Sequence, residues 1–303
     1  LPVRVAYRMV TTTEGSMSHV TGGTQMSNLA NEYDAGRHVR ASLLFAAPDG
    51  TAPEVVVPKG SDDAPTRSGL DEQEVLIADG RIRAVAFSLN REGFQFLKRS
   101  SLVTNFEDDA EIEQIYYPEI REIVADAVGA GEVEIFDHTI RVTDPETSYR
   151  RPASHAHNDY TVASGPSRLR DMIGDSRADA WAKDRLVQVN VWRPIAEPVL
   201  QMPLALLDAS SLSESDLVET SIINLRQNGR VGKIYSVRKA PGQQWFYFPH
   251  MTMSEAILIK GYDSAEDGRA RFTPHSAFAD PTSPADAPPR RSIEVRTFAR
   301  VPG

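Results

Sequence analysis

From Glu132 onward the chain is a succession of short β-branched and aromatic runs separated by turn residues, and this pattern most restricts its fold. VEIFDHTIRV, RLVQVNVW, PLALLD, KIYSVRK, QQWFYFP, EAILIKGYD, ARFTPHSAF and SIEVRTFARV each read as a strand. So many short strands point to a mainly β (α+β) fold. The expected architecture is a double-stranded β-helix, or jelly-roll, core with flanking helices and an N-terminal extension. One helical interruption is expected over residues 167–183, residues 211–225 read either way, and 280–289 form a Pro-rich loop.

The first part of the chain is more mixed. Strands are expected at 3–10, 41–47, 74–77 and 81–88, and a short helix at 91–98. Residues 11–36 and 58–68 read as loops, the first long enough for a substrate-covering role. The clearest helix runs over 109–128, where Ile112, Ile115, Tyr116, Ile120, Ile123 and Val124 recur at helical spacing. Pro118 either kinks it or begins a second helix, and Gly129 and Gly131 stop it. A single domain over residues 1–303 is expected. Residues 1–130 supply strands, loops and a helix packed on the barrel, and 131–303 form the jelly-roll core with the metal site.

Composition narrows the chemistry. With no cysteine at all, disulfides, thiolate metal sites and cysteine nucleophiles are excluded, so any metal must use His and carboxylate ligands. A net charge of -9 argues against a nucleic-acid partner, because a phosphate backbone calls for a Lys/Arg surplus. No apolar run approaches the roughly 18 residues of a membrane span. The opening LPVRVAYRMV does not read as a signal peptide, so the expected compartment is cytoplasmic.

Within HAHNDY, side chains at i and i+2 of an extended segment project to one side. His157 and Asp159 thereby form a two-ligand edge, with His155 on the same side. The third ligand is sought far along the chain, at His275 in FTPHSAF. Two His and one carboxylate leave three positions open, which suits iron(II) binding a bidentate 2-oxo acid and O2. After His275 comes Arg290, sharing a strand face with Ser292 and Arg296. A guanidinium fork beside a hydroxyl can hold the far carboxylate of 2-oxoglutarate.

The segments HAHNDYT, NVWRPI with PLALLD, QQWFYFPHMTMSEAILIKGYDS, and HSAF followed by RRSIEVR carry a wider likeness. GFQFLKRSSLVTNF, YYPEI and VEIFDHTIR extend it over about residues 93–301. The chain resembles the cephamycin-methoxylation hydroxylase and fungal gibberellin-desaturase group of Fe(II)/2-oxoglutarate-dependent enzymes. The resemblance implies a hydroxylase or desaturase acting on a small secondary-metabolite-type substrate. It implies His157, Asp159 and His275 as iron ligands and Arg290 with Ser292 as the 2-oxoglutarate anchor. In such enzymes 2-oxoglutarate and O2 give succinate, CO2 and an oxidant that removes a substrate hydrogen. It also allows a methyltransferase or other pathway partner; a homodimer is a further expectation.

Other residues carry weaker expectations. Tyr160 reads either as a hydroxyl donor to 2-oxoglutarate or as packing. Asn190 and Trp192 share one face of their strand and Arg193 takes the other, so one of these faces is offered to the co-substrate. Trp245, Tyr247, Phe248 and Met251 are candidates for an apolar pocket wall. Asp208 and Asp263 read as turn or cap residues, His138 and His250 as structural, His19 and His38 as loop residues. The competing readings are a cupin-like His/carboxylate metalloenzyme that does not use 2-oxoglutarate, and a non-catalytic partner of a biosynthetic enzyme. Metal content and the effect of Arg290→Ala on co-substrate affinity separate them.

Overall fold

The computed structural model describes residues 38–59, 65–83, 85–144, 146–196, 198–225 and 228–303. The expected strand at 3–10, the loop at 11–36 and His19 lie outside the described residues. In chain order the first strands are β1 (His38–Ala46), β2 (Glu54–Val57), β3 (Thr66–Ser68), β4 (Leu70–Asp79) and β5 (Phe94–Lys98). Next come β6 (Glu132–Val142), β7 (His157–Asn158), β8 (Arg185–Pro194), β9 (Leu204–Leu207) and β10 (Leu217–Asn224). The last are β11 (Arg230–Val237), β12 (Trp245–Tyr247), β13 (Glu255–Asp263), β14 (His275–Ala277) and β15 (Arg291–Val301). Helix α1 covers Tyr117–Val128, α2 Ser164–Ile173 and α3 Asp175–Trp181.

Ten strands join in the order β1-β4-β12-β9-β14-β7-β11-β10-β2-β3, and five in the order β5-β13-β8-β15-β6. From β12 to β15 successive strands alternate between the two sheets, the jelly-roll arrangement expected from the sequence. The strands before residue 100 are hydrogen-bonded members of these sheets. β4 pairs in parallel with β12 and carries β1 along its other edge, while β5 pairs with β13. Edge pairing satisfies backbone groups that packing against the barrel's outside would leave open.

The small sheet has two buried faces of opposite character. Val187, Val189 and Val191 of β8, with Ile293 and Val295 of β15, join Ile112, Tyr116, Ile120, Ile123 and Val124 in one apolar cluster. Alternation along the same strands turns Gln188, Asn190, Trp192, Ser292 and Glu294 the other way, and all five are buried. Burying the helix stripe holds that sheet rigid: truncating Ile120, fully buried, to Ala would cost about 2–5 kcal/mol.

The helical stretch is built in steps. Asp108 caps a short turn at Asp109–Glu111 through Ala110 N–H (2.9 Å), then Ile112–Tyr116 widens into a π-turn before α1. Pro118 sits in the first turn of α1, where its missing N–H costs least. Gly129, left-handed at φ 72°, ends the helix. The interruption expected at 167–183 is the α2–α3 pair, broken at Gly174.

Several local expectations are corrected. Among the described residues, 81–83 and 85–88 are not a strand: a 3-10 turn covers Gly80–Ile82, and Arg81 is drawn away by two 2.8 Å bonds to Glu255. Residues 91–98 are not a helix. Glu92 accepts from Ser88 N–H to close a turn, and Phe94–Lys98 then pairs with β13 as β5. The aromatic alternation there is satisfied by a distant partner, which local pattern does not reveal. His38 begins β1, Thr66–Ser68 of the expected loop form β3, and the ambiguous stretch holds two 3-10 turns and β10. Among the described residues no helix is long and apolar enough to cross a membrane.

Candidate metal centre and co-substrate cleft

β7 sits between β14 and β11, so His157 is the direct cross-strand partner of His275 on one side and Ser236 on the other. Asp159 follows immediately after β7. One ligand atom from each of His157, Asp159 and His275 lies within 4.8 Å of the others. This is the arrangement expected from the sequence, and its fine geometry suits a cation. His157 Nδ1 lies 2.8 Å from the His155 carbonyl, and His275 Nδ1 lies 3.0 Å from the Thr273 carbonyl. A carbonyl only accepts, so each Nδ1 carries a proton and each Nε2 is the ring atom left for a metal. That is the tautomer and second-partner pattern of metal-ligating histidines.

Electrostatics favour a neutral His275 ring beside an ionised Asp159. Burial, helped by His157, pushes the His275 imidazole below its usual value, so it is neutral at pH 7. Burial opposes the charge on Asp159. The His157 contact, His275 and Arg296 outweigh it and hold the carboxyl well below the usual carboxylate range. Asn190 donates to Asp159 Oδ2 at 2.6 Å, and His157 Nε2 lies 3.5 Å from the other oxygen. Two imidazoles and one carboxylate on a single face make a donor set for Fe(II). His155 stacks on His157 with ring centroids 4.3 Å apart.

The triad lies at one end of a cleft also lined by Arg290, Trp192, Leu204, Arg141 and Glu294. Arg290 is 2% exposed. Its Nε and Nη2 reach Ser292 Oγ at 3.2 and 3.1 Å, Nη1 donates to the Met202 carbonyl, and its guanidinium lies 5.0 Å from the Trp192 ring centre. No carboxylate stands within ion-pair distance of it among the described residues. Burial first, then Arg141, pushes it down to about 9. Glu294 in the same cleft acts the other way without pairing with it, and a guanidinium keeps its proton.

The remaining expected residues divide. Trp192 lines the cleft, and Asn190 touches the Asp159 carboxylate. Arg193, on the opposite face of β8, turns toward the helix layer: it donates to Tyr116 Oη (3.1 Å) and the Met253 carbonyl (2.6 Å). Arg296 is bound to Asp137 at 2.7 and 2.8 Å and does not line the cleft. Tyr160 packs with Phe136 and Phe298, and burial raises its hydroxyl above the ordinary range. Trp245 packs on Phe45 and Tyr247 on Phe278, so these aromatics build core and not the cleft wall. Asp208 is a turn cap as expected (Ser210 N–H, 2.9 Å). Asp263 accepts from Ala265 N–H, but it also holds Arg185 and the fully buried Lys260. His138 meets Tyr117 Oη at 2.9 Å. Arg141 and Glu294 were missed; period-two alternation from Arg290 and Ser292 would have reached Glu294, whereas Arg141 depends on β6 pairing with β15.

A family model described as "YDMC: Oxidoreductase/YMDC permease-like domain" matches residues 43–300. The Fe(II)/2-oxoglutarate-dependent dioxygenase nvfI of Aspergillus novofumigatus is 28% identical, over 84% of this chain and 94% of its own. The hydroxylase/desaturase CTB9 of Cercospora beticola is 32% identical, over 77% of this chain and 78% of its own. The chain belongs to the Fe(II)/2-oxoglutarate-dependent hydroxylase/desaturase family. Another member, efuI of Hormonema carpetanum, is 30% identical over 76% of this chain and 84% of its own. The solved structure of the iron and alpha-ketoglutarate-dependent endoperoxidase NvfI superposes with a TM-score of 0.78 at 26% identity, covering 89% of this chain and 100% of that one. This hydroxylase/desaturase family member is accordingly an oxygenase of secondary metabolism with a jelly-roll fold.

Proposed function

We propose that His157, Asp159 and His275 hold Fe(II), and that Arg290 with Ser292 receives the far carboxylate of 2-oxoglutarate. The observation that carries this reading is Arg290, buried in the same cleft as the triad and ion-paired with no carboxylate among the described residues. A dicarboxylate binding the metal through its 2-oxo acid end would bring that carboxylate. Iron with 2-oxoglutarate and O2 supplies an oxidant that removes a substrate hydrogen, with succinate and CO2 as co-products.

The chain's own residues do the rest. The Nδ1–H bonds to backbone carbonyls keep both rings in the ligating tautomer. Asn190 keeps the Asp159 carboxylate oriented, and Ser292 with the Met202 carbonyl aims the Arg290 fork. Trp192 and Leu204 make the cleft wall apolar where water must be kept from the oxidant. Arg296, Tyr160 and Arg193 take supporting roles in this reading: Arg296 through its field on Asp159, the other two through packing.

The substrate is a small metabolite. Hydroxylation or desaturation is the expected outcome, and product analysis decides between them. The residues from 38 onward are read as one oxygenase domain. A cytoplasmic location, a homodimer and a methyltransferase or other pathway partner complete the proposal; fractionation, sedimentation and co-purification test them. The central test is an anaerobic spectrum. Fe(II) plus 2-oxoglutarate gives a weak visible charge-transfer band, accompanied by O2-dependent succinate formation once air is admitted. A band that survives unchanged in Arg290→Ala sinks the anchor assignment.

A further inference from the structure

Behind Asp159 runs a buried chain of two amides. Asn190 Nδ2 donates to Asp159 Oδ2 at 2.6 Å, and Gln188 Nε2 donates to Asn190 Oδ1 at 2.6 Å. Both amides are fully buried. The direction of the chain is dictated from the metal end. A carboxylate only accepts, so Asn190 must turn its NH2 to Asp159 and its carbonyl to Gln188, which must then donate. This leaves Gln188 Oε1 buried with no donor. An unmet buried acceptor is destabilising, and an apolar side chain of the same shape would avoid it.

The space for Gln188 comes from a β-bulge. The pairing of β13 with β8 slips between Lys260 and Tyr262, so Gly261 is the extra residue. A Cβ at Gly261 would lie 2.0 Å from Gln188 Oε1. The Gly261 φ is not positive, so close approach, not backbone strain, is what calls for glycine here. The Gly261 carbonyl also accepts from Asn158 Nδ2 at 2.8 Å, and Asn158 Oδ1 accepts from Thr273 N–H at 2.9 Å. Asn158 stands between His157 and Asp159, and the Thr273 carbonyl holds the His275 ring.

We infer that Gln188 and Gly261 are positioning residues for the metal site: the bulge seats Gln188, which through Asn190 fixes the orientation of the Asp159 carboxylate. The inference rests on the ligand assignment proposed above. None of these residues touches substrate or co-substrate in this reading, and their effect passes through Asp159.

The test is a titration of the full chain with Mn(II) alone, followed by loss of the free-ion EPR signal, beside thermal melting of the apo protein. Mn(II) is bound by the same carboxylate and imidazole donors. Gln188→Met, which keeps the shape and removes the amide, is expected to weaken Mn(II) about 10–100-fold while leaving the apo melting temperature unchanged or higher. Gly261→Ala is expected to weaken it similarly by displacing Gln188. Gln188→Ala combined with Gly261→Ala should bind no worse than Gln188→Ala alone, since both act through one contact. Affinity within about twofold of the unmodified chain in both single variants overturns the inference, as does an additive double variant. So does a loss of Mn(II) affinity that merely follows a loss of melting temperature. Asp159→Ala separates the two levels: if it abolishes Mn(II) binding while the Gln188 and Gly261 variants do not weaken it, only the positioning role fails. If Asp159→Ala itself leaves binding intact, the ligand assignment fails and takes this inference with it.

Discussion

His157 and His275 are direct cross-strand partners of the β7–β14 ladder, with ring centroids 4.7 Å apart. β7 and β14 are only two and three residues long, so few backbone bonds tie this part of the large sheet. A cation held by both rings would act as a clamp between them.

Metal binding should therefore raise thermal stability. At a free Mn(II) concentration of 100 times Kd, linkage predicts about 2.7 kcal/mol of added stability. Anaerobic calorimetry with and without Mn(II) measures it. His275→Ala should melt at the same temperature in both conditions; a metal-dependent rise that persists in that variant contradicts the ligand role.

Arg290→Gln should raise the KM for 2-oxoglutarate far more than it lowers kcat. Losing a buried charge-assisted pair costs about 2–5 kcal/mol, equivalent to roughly 30-fold or more in affinity. Arg290→Lys should restore little, because an ammonium offers no fork to satisfy both Ser292 and a carboxylate. Steady-state kinetics with varied 2-oxoglutarate decide the matter, and an unchanged KM in both variants would remove the anchor.

Arg193→Met should behave in the opposite way. Its guanidinium serves Tyr116 and Met253 on the helix side of β8, so 2-oxoglutarate KM should stay within about twofold. Stability should fall by about 1–3 kcal/mol through unmet partners, read by urea denaturation.

Asp263→Ala should be among the most damaging changes away from the cleft. Lys260, fully buried, donates to Asp263 at 2.7 Å, and Arg185 adds bonds at 2.9 and 2.6 Å. Removing the carboxylate strands a buried ammonium at a cost of about 3–5 kcal/mol. Burial opposes ionisation of Asp263, but Arg185 and Lys260 outweigh it and hold the carboxyl below its usual value. A depressed folded pKa means this stabilisation is present above the unfolded value near 4 and is lost as pH falls through the lower folded value. The stability gap between the unmodified chain and Asp263→Asn should thus stay constant from pH 7 to about 5 and shrink in stronger acid. Urea titrations across that range would show it; a gap that closes already near neutrality argues against the pair.

Much of the site was legible in the sequence because strand geometry is local. The i, i+2 rule puts His157 beside Asp159, and Arg290 beside Ser292 and Glu294, whatever the strand's partners are. The same rule separates Asn190 and Trp192 from Arg193, yet it does not say which face meets the cleft. That was decided by α1, whose apolar stripe claims the valine face of β8 and carries Arg193 with it. Arg296 shares a face with Arg290, but β6 brings Asp137 against it and removes it from the cleft.

Residues 91–98, expected as a short helix, show the same division, since Phe94–Lys98 becomes a strand only by pairing with β13. Alternation along the chain thus determined the proposed ligand pair, the proposed anchor pair and the β-rich class. Only the tertiary structure set His275 opposite His157, placed Arg141 at the cleft, and gave Gln188 its seat over Gly261. Register and sheet order join residues far apart in sequence, and the free energy that selects one pairing comes from the whole core, which no local pattern contains.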